Sequence, residues 1–400
     1  MTTPAPPPPS PLPATPTTNP LLNRNAFGAV QPQPLRRPSS SRPEQQQQQA
    51  SEGSGLTKVA NFRDVGRNYN ADVMESPSSE SEKQPVLKVG NLFRSARLDD
   101  STPQDVETLK NRYGIRTVID LRSDLERKEC QHVSSTFLFP VIEQEMESEL
   151  SPLKTDDDIN PKPPIESSYS DTDESDADYF GPRNPPVDAA SIGSITPGGG
   201  RRHRYSIEFA GHNFRRHGVW KPLGVWQKCK VVALIASGNK PRAVQMIGEE
   251  AIAPKGLIGL YHNFADYCGG EIVQALKLMA VSENFPVLVH CTQGKDRTGM
   301  VIAMALHCAG VSVEHIVTDF HRSQAGLDSQ RDVMVQEMAK TGLDPSFSDA
   351  PANVLSDTIK YIIDKHGSVD NYLSKHGFDK EWQDRLRDNL VEKRPVTRSK

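Results

Sequence analysis

Apolar residues are spread unevenly along this chain. Residues 1–55 are dominated by Pro, Ser, Thr, Gln and Ala, with five consecutive Gln at 45–49 and no apolar period. Such a stretch buries too little apolar surface to offset its ordering entropy, so a disordered arm is expected there. Periodic apolar positions begin after Gly55. Residues 59–65 read as a short strand ending in a turn, the polar run 67–84 as a loop, and Leu92-Phe93-Arg94-Ser95 as a second strand. Thr102-Pro103, followed by Asp105 and Glu107, gives a helix start with a cap, Pro at the first position and acids in the first turn. Gly114 ends that helix near Tyr113. Residues 115–121 are β-branched and mostly apolar, which predicts a buried strand, and 136–140 predicts a shorter one.

A polar stretch then runs from about 143 to 205. Between Glu143 and Asp178 stand thirteen acidic residues and two basic ones, Lys154 and Lys162. The favoured reading is a solvated spacer; Ser168, Ser170 and Ser175, set among acids, would also suit an acid-directed kinase. Leu223, Trp226, Val231, Leu234 and Ile235 form an apolar stripe at helical spacing. Residues 257–280 give a longer helical pattern broken near Gly269-Gly270. Residues 286–290 form an apolar strand, and 299–309 are apolar nearly all round, which predicts a buried helix. Two further helical segments are expected over 352–391. Strands at about 59–65, 91–94, 116–121, 136–139 and 286–290, with helices between and after, indicate an α/β domain with a largely parallel central sheet. Its expected bounds are 56–395, with the acidic insertion at 143–205.

Composition narrows the function classes. Four hundred residues suggest two or three domains by length, but the low-complexity stretches leave material for one. A formal net charge of −4 argues against non-specific nucleic-acid binding. No run of 18 apolar residues predicts a spanning helix, and the Pro-rich N-terminus lacks the apolar core of a secretory leader. The five cysteines, at 130, 229, 268, 291 and 308, form no CxxC pair, which fits a reducing, cytoplasmic setting better than a disulfide framework or a zinc site. Pro6–Pro9 and Pro11–Pro13 would suit SH3- or WW-type partners, though low-complexity solvation is the stronger reading.

The chemistry concentrates in His290-Cys291-Thr292-Gln293-Gly294-Lys295-Asp296-Arg297-Thr298-Gly299. A strand precedes this run and a buried helix follows it. A tight loop before a helix N-terminus turns backbone N–H groups inward and adds the positive end of the helix dipole. A phosphoryl group in transfer carries negative charge on three equatorial oxygens, which suits that loop. Arg297 is placed to grip two of those oxygens with its planar fork. The same positive field favours the thiolate of Cys291, the nucleophile expected to form a phosphocysteine intermediate. Thr298 would ease the departure of sulfur, and His290 would fix the loop from behind. Six positions of the pattern are fixed, so a chance match is on the order of 1 in 10⁵. No metal or cofactor is called for.

The run resembles the signature loop of the protein tyrosine phosphatase superfamily. Its Gly294-Lys295-Asp296-Arg297 form resembles the atypical tyrosine/serine phosphatase-like family of bacteria and fungi. Asn61-Phe62-Arg63-Asp64, Leu92-Phe93-Arg94-Ser95 with Leu98, Asp120-Leu121-Arg122-Ser123 with Glu126, and Asp319, Ser323 and Leu327 resemble further motifs of that family. The resemblance implies a three-layer phosphatase fold and phosphotyrosine, phosphoserine/threonine or phosphoinositide substrates. It implies that Thr292, Gln293, Gly294 and Lys295 line the phosphate site. Arg94 is expected near the pocket mouth, with Arg63 and Arg122 as weaker candidates. Lys295 is either a second positive charge at the pocket floor or a solvent-facing lysine. Asp296 is either a proton donor or a structural acid. The family's donor follows the strand placed here at 136–140, where this chain has no Asp. Asp296, Glu143 and an acid of the insertion remain as donors, in that order, with Asp120 a further nearby carboxylate. A phosphatase-like module that binds phosphorylated ligands without turnover, and an interaction scaffold, are the competing functions.

Overall fold

The computed structural model describes residues 54–75, 84–129 and 202–393. They carry a five-stranded sheet in the order β1-β2-β5-β3-β4. The strands are β1 (Arg63–Asp64), β2 (Leu92–Ser95), β3 (Thr117–Asp120), β4 (His203–Ser206) and β5 (Val287–His290). Only β1 runs antiparallel to its neighbour. Asp120 pairs with both His290 and Ser206, and Ser95 with His290, so four parallel strands end at one level. Loops leaving that edge therefore meet, as ligand-binding loops of open α/β sheets do.

Side chains alternate across the sheet, as the period of two requires. Leu92, Ile119, Val287 and Val289 join the large core on one face, while Phe93, Val118 and Leu288 join a smaller core with Leu56, Val59, Leu98, Leu109 and Ile115 on the other. Just before Leu109 of that small core lies α2 (Pro103–Glu107), which begins at the predicted cap: Thr102 and Asp105 form a reciprocal capping box. The large core is built around α8 (Asp296–Ala309), whose residues 298–306 are all buried. Packed around it are α6 (Gly256–Tyr267), α7 (Gly269–Met279), α9 (Val313–Gly326), α11 (Ala352–His366), α12 (Val369–Lys375) and α13 (Lys380–Leu390). The remaining helices are α1 (Val65–Glu75), α3 (Asp124–Glu129), α4 (Val225–Ala236), α5 (Lys240–Ile247) and α10 (Arg331–Lys340). Helices on both faces of a mostly parallel sheet make the three-layer α/β architecture that the pattern predicts.

Several elements differ from expectation. Strand β1 is only two residues long, and the expected loop from 67 begins instead as α1, because Val65, Tyr69 and Val73 fall at i, i+4 and i+8 and pack on the large core. The expected strand at 136–139 lies outside the described residues. The edge position of the sheet belongs to β4, at the end of the stretch read as insertion; its sequence His203-Arg204-Tyr205-Ser206 has no apolar run to announce it. Residues 352–391 hold three helices rather than two, since Gly367 and Gly377 take positive φ and break the run. Of the stripe expected over 223–235, Leu223 and Val231 are buried but Trp226 is 69% exposed. The break between α6 and α7 falls at Cys268, beside the predicted Gly269-Gly270. Cys268, Cys291 and Cys308 are buried, Cys229 is exposed, and all four are free thiols; Cys130 lies outside the described residues. Among the described residues no helix is long and apolar enough to cross a membrane.

Candidate functional site

The segment between β5 and α8 is a loop whose carbonyl oxygens are all tied back. His290 Nδ1 lies 3.1 Å from the Cys291 carbonyl, its acceptor. The Arg97 N–H donates to the Thr292 carbonyl at 3.0 Å. Asn61 Nδ2 donates to the carbonyls of Gln293 and Gly294, at 3.1 and 3.0 Å. Arg94 donates to Gly294 at 2.7 Å and to Lys295 at 3.3 Å. With the carbonyls held behind the loop, the N–H groups of Thr292 to Arg297 find no protein acceptor among the described residues. They form a donor-lined concavity over the N-terminus of a buried helix, an arrangement that suits an anion.

Two backbone conformations make this possible. Gly294 has φ +64°, and a Cβ there would stand 1.9 Å from the Ser95 carbonyl oxygen. Asn61 has φ 55°, a left-handed conformation that Asn tolerates better than most residues. That conformation lets one side-chain amide reach two carbonyls of the loop.

Arg297 is clamped by Glu126 from α3. Its two terminal nitrogens lie 2.7 and 2.6 Å from the two carboxylate oxygens. The Thr292 hydroxyl donates to the same carboxylate at 2.5 Å, and the Ser123 N–H at 2.9 Å. Burial works against the Arg297 charge, yet Glu126 outweighs it and holds the guanidinium above its ordinary range. Reciprocally, burial would raise the Glu126 carboxyl, but Arg297 and Thr292 keep it well below the usual carboxylate range. Sequence reasoning included Glu126 in a motif but gave it no role; only folding brings it across to the loop.

Beneath the loop lies a second network. Asp319 on α9 bridges Arg63 at 2.9 Å and Arg94 at 2.6 Å, and Ser323 accepts from both arginines. Arg94 is fully buried, so it does not line the mouth as expected; it supports the loop from behind. Arg63 and Arg122 are likewise buried. Arg122 pairs with Asp99 at 2.5 Å and with Asp120 at 2.9 Å, and Arg204 also bonds Asp120. Burial would raise the Asp120 carboxyl, but Arg122 and Arg204 hold it well below its ordinary range, so it carries no proton to give. Burial drives His290 down to about 4, so the imidazole is neutral. That state fits its place behind the loop as a donor to the Cys291 carbonyl.

Lys295 corresponds to neither expectation. Its side chain is fully buried and points away from the loop concavity, donating to the carbonyls of Phe347 and Asp349 at 2.6 and 2.8 Å. It also lies 3.5 Å from Asp296, whose carboxylate accepts from the Tyr261 hydroxyl at 2.9 Å. Asp296 keeps 22% of its side chain exposed. The Thr298 hydroxyl is buried with no partner among the described residues, so the expected bond to the Cys291 sulfur is not formed. Glu143 and the insertion acids lie outside the described residues. The acid that follows the edge strand β4 is Glu208, paired with Arg215 at 2.6 Å. Next to it, Glu271 is pushed up to about 7 by burial, with Glu208 adding to the effect. Among the described residues no group of three or more His, Cys, Asp or Glu is placed to hold a metal ion.

The sequence profile of the tyrosine phosphatase family matches residues 54–181 and 196–392. The match thus covers both the motifs and most of the acidic stretch, leaving only 182–195 between its two parts. The chain is 31% identical over 171 residues to the triple specificity protein phosphatase PtpB of Mycobacterium tuberculosis, covering 39% of this chain and 61% of that one. It is 32% identical over 77 residues to a tyrosine-protein phosphatase of Nostoc commune, covering 19% of this chain and 26% of the relative. These alignments span less than two thirds of either relative. The profile, by contrast, runs from the residue before Gly55 to the end of α13 and takes in the loop, its clamp and the buried arginine network; the chain belongs to the tyrosine phosphatase family.

Proposed function

We propose that the chain is a cysteine-dependent phosphatase acting on phosphate monoesters. The observation that carries this reading is the loop itself: five tied-back carbonyls, a run of unpaired N–H groups, and a guanidinium clamped at its rim. Phosphate oxygens would take the N–H groups of Thr292 to Arg297, beside the Arg297 guanidinium that Glu126 and Thr292 hold in place. The Cys291 sulfur then attacks phosphorus, forming an S–P bond as the P–O bond to the leaving group breaks. Asp296 gives the leaving oxygen its proton; it is partly exposed and is the loop's own carboxyl. Water next attacks phosphorus and gives a proton back to the Asp296 carboxylate as the S–P bond breaks, releasing inorganic phosphate and the Cys291 thiolate. Because the loop is preorganised by Asn61, Arg94 and Glu126, little reorganisation accompanies the developing charge.

Substrates of more than one kind fit this reading, phosphotyrosine first, then phosphoserine/threonine or a phosphoinositide. The triple specificity of the mycobacterial relative agrees with that breadth. The buried Lys295 does not: it offers no second charge to a polyanionic headgroup. A module that binds phosphorylated ligands without turnover is favoured by one observation, the Thr298 hydroxyl that makes no bond to sulfur. An assay with an aryl phosphate, a phosphotyrosine peptide and phosphoinositides separates the two. We expect turnover that disappears in Cys291→Ser. Asp296→Asn should lose about 10²-fold or more on substrates with poor leaving groups and much less on the aryl phosphate. Well-folded wild type that binds phosphopeptide but turns over none of these would establish the module instead.

A further inference from the structure

The helix pair α4 and α5 turns its apolar residues outward. On α4, Val225, Cys229, Val232 and Ala236 fall at i, i+4, i+7 and i+11 and are all exposed, with Trp226 and Ala233 alongside. Val225 is 79% exposed and Trp226 69%. Val244 on α5 is exposed as well. The inner side of the pair packs on a small core of its own, Val231, Ala243 and Met246, separate from the main core. A surface helix that serves only its own domain places polar residues at such outward positions. Here the sequence does the reverse.

Charge gives the occupant. The forty residues 209–248 contain seven Lys and Arg and not one Asp or Glu, in a chain whose net charge is −4. Lys221, Lys230, Lys240 and Arg242 of this stretch are exposed, and Lys230 sits 5.6 Å from the Trp226 ring centroid, on the same face. An apolar stripe with an exposed Trp, set within a purely basic stretch, is the composition of a helix that lies in the interface of an anionic bilayer. The apolar side chains would enter the acyl boundary while Lys221, Lys230 and Lys240 meet lipid phosphates; Arg242 is paired with Glu249 at 3.1 Å. Such docking needs no spanning segment.

We infer that α4 and α5 form a docking surface for anionic membranes. This goes beyond the proposed catalysis and does not depend on it, since it involves no residue of the loop. The test is sedimentation of the full chain, carrying Cys291→Ser so that turnover plays no part, with vesicles of phosphatidylcholine alone and of phosphatidylcholine with phosphatidylserine. Partition should be confined to the phosphatidylserine vesicles and fall with added salt. Each lysine near the surface contributes about fivefold, so Lys230→Gln with Lys240→Gln should weaken binding by an order of magnitude or more. Trp226→Ser should do the same, with an unchanged circular-dichroism melt. Absence from both vesicle pellets would overturn the assignment, as would equal binding to both compositions, or unchanged binding in both folded variants. Capture of a peptide of residues 143–178 by this face, without vesicle binding, would overturn it too.

Discussion

Arg94 and Arg63 are large, charged and almost wholly inside the protein, and a single carboxylate, Asp319, answers both. Burial lowers the Arg63 guanidinium to about 10, with Arg94 adding to that effect. Asp319 is itself held down to about 2: burial opposes its charge, and the two arginines overcome it. Removing one member of such a cluster leaves buried charge uncompensated. Asp319→Ala should therefore destabilise the fold by about 4 kcal/mol, measurable as a lowered urea midpoint. A change below about 1 kcal/mol would mean the arginines find other acceptors. Glu271 behaves in the opposite sense. Its folded value, about 7, is raised above the 4.5 of an unperturbed carboxyl. The native state thus holds a proton that the unfolded chain has lost. The stability this contributes is complete below pH 4.5 and is lost as pH rises through 7. Glu271→Gln should match wild type at pH 4 and be more stable by about 3 kcal/mol at pH 8. Thermal melts across that range should show the gap opening between pH 5 and 7; a gap of constant size would rule out the titration.

The elements explain why some of this was legible and some was not. Strand β5, the loop and α8 follow one another in sequence, so their pattern shows the site directly. The cap at Thr102 and the buried strand β3 were equally visible, being local. The role of Arg94 was not: its partners Gly294 and Asp319 lie 200 and 225 residues away. An arginine in a motif reads as a pocket arginine until the fold shows the carbonyl it supports. The same holds for Lys295, whose acceptors come from the turn at Pro345–Ser348 and the residue after it. Strand β4 escaped notice because an edge strand needs only one buried face and can be written in polar residues. At the level of the loop, Gly294→Ala is the sharpest test. The new Cβ would collide with the Ser95 carbonyl and strain a positive φ. Turnover should fall by about 10²-fold as the loop shifts, with the melt altered far less. Retained activity would show that the loop's preorganisation is not what the site depends on.

Across the whole molecule, the sheet sets the geometry and the helices hold it. Four strands ending at one level bring the loop, the α3 clamp and the Glu208 segment to one edge. One buried helix, α8, carries the loop at its N-terminus, and the arginine network beneath joins β1, β2 and α9. Each of the family-like motifs thus contributes to one donor-lined cradle, although most of them lie behind it. A phosphoryl group is expected to pass through Cys291. The most direct measurement is rapid acid quench of the wild-type chain with excess phosphotyrosine peptide, followed by mass spectrometry of its fragments. One phosphoryl group should appear on the fragment containing Cys291 and vanish in Cys291→Ser together with all turnover. Turnover that survives Cys291→Ser, or a phosphoryl group found on another residue, would contradict it.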